Sequence, residues 1–371
     1  MSVFCSLPFN SVHILNTGST MPCCAFSPTK KTTINEYFQS SDLLQVRESF
    51  INGKFPVQCK NCEQNEKLNN TSFRKLNSLF DSEEAAIKAV GSTYSKIKHL
   101  SLVTSNVCNL KCLPCIGCSY IRLVEMEKLK IHPHGTVLKL NELTRSAIDE
   151  IVGLDSIETL TLAGGEPFVD AVAIDLIDKL IERGVSKNIR IDINTNLTMV
   201  TPEGIEKLKN NFKHVFIKGS IDGLKEVNDY LRYPSKWEDI VKSMNLIRSL
   251  DIDFVVTTAM TNLSLMRYYE LLEWGLENNI LDMFQSVVDN VPVLQPISLP
   301  LAIKKELIEK YLNLKKYIES DRTMFVLDSC ISMCESENDA SPYDLIEYLK
   351  KHDNLRGTDY SKLWPELKAY E

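Results

Sequence analysis

Three cysteines stand in the stretch CNLKCLPC, at Cys108, Cys112 and Cys115, a C-x3-C-x2-C spacing. Three thiolates in one short loop can hold three irons of a [4Fe–4S] cube and leave the fourth iron open to a ligand that is not protein. A zinc site completed by Cys118, or plain reduced surface thiols, satisfies the same spacing. A second stretch, AGGEPF at residues 163–168, sets a glycine pair beside a carboxylate. Glycines let a backbone approach a ligand closely, and Glu166 could accept hydrogen bonds from an ammonium group. Alone, the same residues make an ordinary turn from strand into helix.

The surrounding elements give these residues their place. KIKHLSLVTS reads as a strand leading into the cysteines, and IETLTLAGG as a strand ending in the glycine pair. Parallel α/β folds bind ligands at the carboxyl ends of strands, so both stretches fall where chemistry is expected. Helix-like LTRSAIDEIVGL lies between them. The rhythm continues through NIRIDINTN, HVFIKGSID, DFVVTTAMT and DMFQSVVD, with amphipathic segments between. Six strands alternating with helices mean βαβ units and a parallel sheet, either doubly wound and open or a partial barrel. After Pro300 the pattern turns helical.

C-x3-C-x2-C after the first strand and GGEP after the second resemble the radical S-adenosylmethionine (radical SAM) superfamily. The resemblance implies a partial (β/α)6 TIM-like barrel over residues 90–295, with a helical extension over 296–371. It implies Cys108, Cys112 and Cys115 as ligands of a [4Fe–4S] cluster, and Gly164, Gly165, Glu166 and Pro167 as the holder of the SAM amino group. Asn194 and Asn196 end the third strand, and Ser220 and Asp222 the fourth. Asn196, Ser220 and Asp222 are expected to meet SAM, and Arg232 resembles an arginine that reaches its carboxylate. Helix capping by Asp222 and a surface place for Arg232 are the bland alternatives. Members of this family usually carry an aromatic residue before the third cysteine; Pro114 stands here.

Residues 1–80 form a Cys-rich front piece. FNSVHILNTGSTMPCC predicts two short strands around a Gly18 turn, and SSDLLQVRESFINGKF a helix capped by Ser41 or Asp42 and ending near Gly53. Cys5, Cys23-Cys24 and Cys59-x2-Cys62 resemble the SPASM/twitch subclass, in which such a module holds an auxiliary Fe–S cluster and usually follows the barrel. Cys5, Cys59, Cys62 and one of Cys23 or Cys24 are the expected ligands; a structural zinc ribbon is the alternative. Cys330 and Cys334, four apart, could share a helix face, and His132 and His134 form an isolated pair.

Composition narrows the partners. The 371 residues include eleven cysteines and carry a formal net charge of −7. That balance argues against a broad nucleic-acid surface, which needs clustered Lys and Arg. No apolar run is long enough to span a membrane, and MSVFCSLPFN shows no basic stretch ahead of an apolar core. A cytoplasmic location is therefore expected, with thiols kept reduced and given to metal or catalysis. The resemblance implies reductive cleavage of SAM, a reductant such as flavodoxin or ferredoxin, and a peptide or small-molecule substrate. A non-catalytic Fe–S or zinc electron carrier is the reading of a different class.

Overall fold

The structure, a computed structural model, describes residues 3–26, 32–69, 72–77, 97–131, 138–280, 283–288 and 291–371. The chain gathers into two compact units that interleave along the sequence. The first takes Met1–Val107, Leu140–Asn194 and Glu206–Phe216; the second takes Cys108–Lys139, Thr195–Ile205 and Ile217–Glu371.

The first unit is built on β1 (Ser11–Ile14), β2 (Thr20–Met21), β3 (His99–Val103), β4 (Thr159–Ala163) and β5 (Arg190–Thr195). In β3 and β4 alternate residues are buried, Leu100 and Leu102 on one and Leu160 and Leu162 on the other. Each fully buried leucine contributes about 1.5–3 kcal/mol, so a one-residue slip in register would expose a whole row. Leu100 pairs with Leu160 and Leu102 with Leu162 in parallel register, and Leu160 in turn pairs with Ile191. The return from β4 is the helix Ala171–Glu182, which buries Ala173, Leu176, Ile177 and Leu180 on one stripe. Asp170 caps it by accepting from Val172 N and also takes the Thr104 hydroxyl at 2.5 Å.

β6 (His214–Ser220) begins in the first unit and finishes in the second, where β7 (Asp253–Met260) and β8 (Met283–Val287) follow in parallel. The strand order is β2-β1-β3-β4-β5-β6 in the first unit and β6-β7-β8 in the second. Strands β3 to β8 thus succeed one another in chain order. A doubly wound sheet reverses direction partway; this one does not, and its winding is that of a partial TIM-like barrel. The six expected strands are all present.

Two features depart from expectation. The strand at Ser11–Ile14 does turn at Gly18, whose φ of +83° suits glycine, and pairs with β2. It also lies parallel to β3, Ser11 opposite His99, so the Cys-rich front piece lends the sheet an extra strand. The helix Ser41–Ile51 is capped by Ser40, whose hydroxyl accepts from Leu43 N, rather than by Ser41 or Asp42. Ser40 has the extended backbone a cap requires, and Ser41 already lies inside the first turn.

In the second unit the long C-terminal helices are Leu301–Lys315, Asp321–Cys334 and Tyr343–Arg356. Cys330 and Cys334 share the buried face of the middle one, and the Tyr311 hydroxyl hydrogen-bonds Cys330. No described helix is long and apolar enough to cross a membrane.

Candidate functional site

In the first unit the chain leaves β4 at Ala163 and enters the glycine pair. Gly164 has φ +116°, and a Cβ there would meet Ser105 O at 2.8 Å. At Gly165 a Cβ would stand 1.8 Å from Val107 O. That closeness is what the hydrogen bonds require: Gly165 N donates to Ser105 O at 3.1 Å and Glu166 N to Val107 O at 2.8 Å. The glycine loop is thereby laced to the three residues that immediately precede Cys108 in the chain. Glu166 is completely buried, and its carboxylate accepts from Phe168 N at 3.3 Å. Pro167 is buried beside it, so the half-exposed backbone of Gly164 and Gly165 forms the outer lip.

The cysteine loop belongs to the second unit. Lys111 N donates to Tyr233 O at 2.6 Å and Leu113 N to Leu231 O at 2.8 Å, so the loop runs as an extended strip beside residues 231–233. Asn196 donates from Nδ2 to Asn109 Oδ1 at 2.9 Å and reaches Cys108 Sγ at 3.9 Å. Asn109 donates in turn to Thr198 Oγ1 at 2.8 Å. Asn196 therefore braces the loop. Cys112 is buried, and burial pushes its thiol up to about 12 against the pull of the Arg232 charge. Cys115 is moved the other way, chiefly by a hydrogen bond with the exposed Cys118, helped by the Gly117 and Cys118 amides and the Arg122 charge.

A buried clamp holds this strip, and nothing in the spacing of the motif announces it. Arg122 is fully buried and donates to Leu113 O at 3.1 Å, to Glu125 Oε2 at 2.5 Å and to Tyr348 Oη at 2.7 Å. Its Nη1 also meets His352 Nε2 at 2.8 Å, while His352 Nδ1 lies 2.7 Å from Tyr348 O. Arg356 donates to Lys111 O and to Glu125 Oε2, both at 2.6 Å. Tyr348, His352 and Arg356 are four residues apart on the C-terminal helix and so share one face. That spacing was legible; its target, more than two hundred residues away, was not.

Asp222 and Arg232 meet each other, Nη1 to Oδ2 at 2.8 Å, and Asp222 also accepts from Ala259 N at 2.8 Å. Asp222 caps no helix, since the next one starts after Lys225. Arg232 is nearly buried, and the charges of Cys112 and Asp222 hold its proton more firmly than burial loosens it. Arg232 Nε and Asn228 Nδ2 are buried donors with no hydrogen-bond partner among the described residues. Ser220 ends β6, half-buried.

In the front piece, Cys5, Cys23, Cys59 and Cys62 line one small cavity, whereas Cys24 is exposed. Cys5 precedes the turn Leu7–Asn10, Cys23 follows β2, Cys59 closes the turn Val57–Cys59, and Cys62 lies on Lys60–Asn69. Burial pushes Cys5 and Cys59 up to about 12 and raises Cys23 further. Arg74 stands at the same cavity, tied to Phe4 O at 2.7 Å and to Glu66 at 2.6 Å. Among the described residues no three His, Cys, Asp or Glu side chains are set to hold a metal ion as they stand. His132 and His134 lie outside the described residues.

The family model of the radical SAM superfamily matches residues 102–274. That segment is similar to a radical SAM domain. Its match begins in β3 and takes in both the cysteine loop and the glycine loop. The chain is 31% identical over 184 residues to an uncharacterized protein of Methanocaldococcus jannaschii, covering 48% of this chain and 58% of that one. It is 26% identical over 173 residues to the AdoMet-dependent heme synthase of Methanosarcina barkeri, covering 46% and 44%. It thus spans little more than half, or less, of the curated relatives it matches. Among solved structures it is similar to SuiB of Streptococcus suis bound to its precursor peptide SuiA. That match has a TM-score of 0.44 and 15% identity, covering 86% of this chain and 71% of the other.

The donor sets suit the cofactors of this domain. Three thiols lie in one loop: hydrogen bonds favour the thiolate at Cys115, whereas burial keeps Cys112 protonated until a cation compensates its charge. Arg232 and Asn228 keep unspent buried donors.

Proposed function

We propose that the chain is a radical SAM enzyme. The observation that carries this reading is the lacing of Gly165 and Glu166 onto Ser105 and Val107, directly before the first of three closely spaced cysteines. A mere electron carrier has no use for such a loop. When bound, a [4Fe–4S] cluster and SAM together supply a 5′-deoxyadenosyl radical that can take hydrogen from an unactivated C–H bond.

The chain's own part is to hold and orient. Cys108, Cys112 and Cys115 would ligate the cluster. Gly164, Gly165, Glu166 and Pro167 would form the rest for the SAM amino end, and their buried backing excludes water there. Arg232, neutralised in part by Asp222, would face the carboxylate with its remaining donor, and Ser220 the ribose. Asn196 would act by bracing the cysteine loop. Residues 90–295 would form the core, and 296–371 an extension whose last long helix steadies that loop.

Residues 1–80 are read as a SPASM/twitch-like module whose Cys5, Cys23, Cys59 and Cys62 hold an auxiliary Fe–S cluster. Their shared cavity supports this, as does the exposure of Cys24. With such a module the substrate is read as a peptide; a small molecule is the alternative. Anaerobic reconstitution with iron, sulfide, SAM and dithionite tests the central claim, and 5′-deoxyadenosine must form. Cys112→Ala should abolish it, whereas Cys62→Ala should spare uncoupled cleavage and lower the yield of modified substrate. Equal loss in both variants defeats the separate roles.

A further inference from the structure

The front piece holds a buried polar group that its own chain leaves unmet. Tyr37, on the helix Ile34–Phe38, is 2% exposed, yet its hydroxyl has no hydrogen-bond partner among the described residues. Leaving a hydroxyl buried and unpaired is unfavourable, and folded proteins seldom do so without something to meet it.

The surroundings say what that could be. Thr20 Oγ1 donates to Thr32 O at 3.1 Å, which pins the start of Tyr37's helix to β2. Cys23 lies two residues beyond the end of β2 and lines the cavity shared with Cys5, Cys59 and Cys62. The helix Ser41–Ile51 packs against the helix of Tyr37 and brings Phe50 to that cavity. Its Arg47 donates to the carbonyl of Pro8, another lining residue, at 2.8 Å. The charges that act on the Tyr37 hydroxyl are those of Cys23, Arg47 and Cys59. A guanidinium has no lone pair, so Arg47 cannot accept the hydroxyl proton; a thiolate can. Burial first, and the Cys23 charge next, hold that proton on its oxygen, so the group is a donor at every working pH.

We propose that the Tyr37 hydroxyl donates a hydrogen bond to the Cys23 sulfur once that sulfur is a metal-bound thiolate. The inference rests on the reading of residues 1–80 as a metal-holding module. A neutral thiol is a weak acceptor and a metal-bound thiolate a strong one, so the hydroxyl gains its partner on loading. The Cys23 proton leaves to solvent as the metal binds, and the Tyr37 proton stays where it is. Tyr37 ligates nothing. It is a positioning residue, and its bond steadies the charge on Cys23 while making that sulfur a weaker electron donor to the metal.

The test loads the full chain with cobalt(II) alone, in a Cys112→Ala background so that the front piece dominates the thiolate-to-cobalt absorption. Tyr37→Phe leaves a more electron-rich sulfur and should move that band to lower energy. It should also weaken cobalt about tenfold in competition with a chelator. Metal-free, Tyr37→Phe should melt no lower than its parent, since it loses only an unpaired hydroxyl; loaded, it should melt lower. A merely structural hydroxyl would lower both. An unmoved band with unchanged affinity overturns the proposal, as does a lower melting temperature in the metal-free variant. If the parent binds no cobalt that Cys23→Ser removes, the module reading falls and the proposal with it. Cobalt that Cys23→Ser removes and Tyr37→Phe leaves undisturbed sinks the proposal alone.

Discussion

Gly165 and Val107 pass so closely that a Cβ on the first would stand 1.8 Å from the carbonyl oxygen of the second. The obstacle is backbone, pinned at that point by the Glu166 N to Val107 O hydrogen bond. No side-chain rotation can relieve it. Gly165→Ala must therefore break the lacing between the glycine loop and the segment leading to Cys108. The expected cost is about 3 kcal/mol of stability, with at least a tenfold loss in SAM affinity by equilibrium dialysis. Gly117→Ala, where a Cβ meets nothing within 4 Å, should leave the melting temperature unchanged.

Arg356 joins the C-terminal helix to the cysteine loop through Lys111 O and Glu125. Arg356→Ala leaves a buried carboxylate with one partner fewer and a loop carbonyl without its donor, which costs about 3 kcal/mol. Iron bound by the loop should fall, measured as lost SAM-responsive EPR signal, while any metal held by the front piece persists. Arg356→Lys keeps the charge but not the two-pronged grip and should restore only part of the signal. Full retention of the loop's iron in Arg356→Ala would show that the clamp is dispensable.

Most of the fold was legible because its signals are local. Alternation in HLSLV and TLTLA, the apolar stripe of Ala171–Glu182 and the glycine turn at Gly18 each declare their structure within a few residues. The cysteine and glycine loops were legible for a related reason, since both fall at strand ends. Pairing partners were not. Nothing in FNSVHIL says that Ser11 will lie opposite His99, because a short apolar strand fits any edge of matching register. The Arg122–Glu125–His352–Arg356 clamp was hidden likewise: each pair is an ordinary helical spacing, and only tertiary contact turns it into a brace. Asp222 and Arg232 stand ten residues apart, and nothing in that spacing announces their bond to each other.

Two buried histidines make acid stability a measurable quantity. Burial pulls His13 down to about 4, and burial together with the Arg122 charge pulls His352 down to about 3. Unfolded, each titrates near 6.5. Between these values the unfolded chain binds protons that the folded chain refuses, so stability is full above about pH 6.5 and falls as pH drops toward 4. Each site should contribute on the order of 2 kcal/mol to that fall. His352→Gln, whose amide oxygen can still accept from Arg122, should flatten the decline between pH 6.5 and 4 in urea titrations. An unaltered slope would mean that His352 is charged in the folded state.

Cys23 and Cys24 are neighbours in sequence and opposites in placement: the first lines the cavity with Cys5, Cys59 and Cys62, and the second is exposed. Burial holds the Cys23 thiol protonated until a cation compensates the charge, so its thiolate is worth forming only when metal is present. Cys23→Ser should therefore remove the front piece's share of iron or zinc, measured by elemental analysis after anaerobic purification. Cys24→Ser should leave it intact, since an exposed thiol outside the cavity closes no fourth corner. The metal found also separates the two chemistries: iron with sulfide supports a cluster, and zinc without sulfide supports a ribbon. Equal loss in the two variants would mean that the Cys23–Cys24 turn rearranges on loading and that either thiol can reach the cavity.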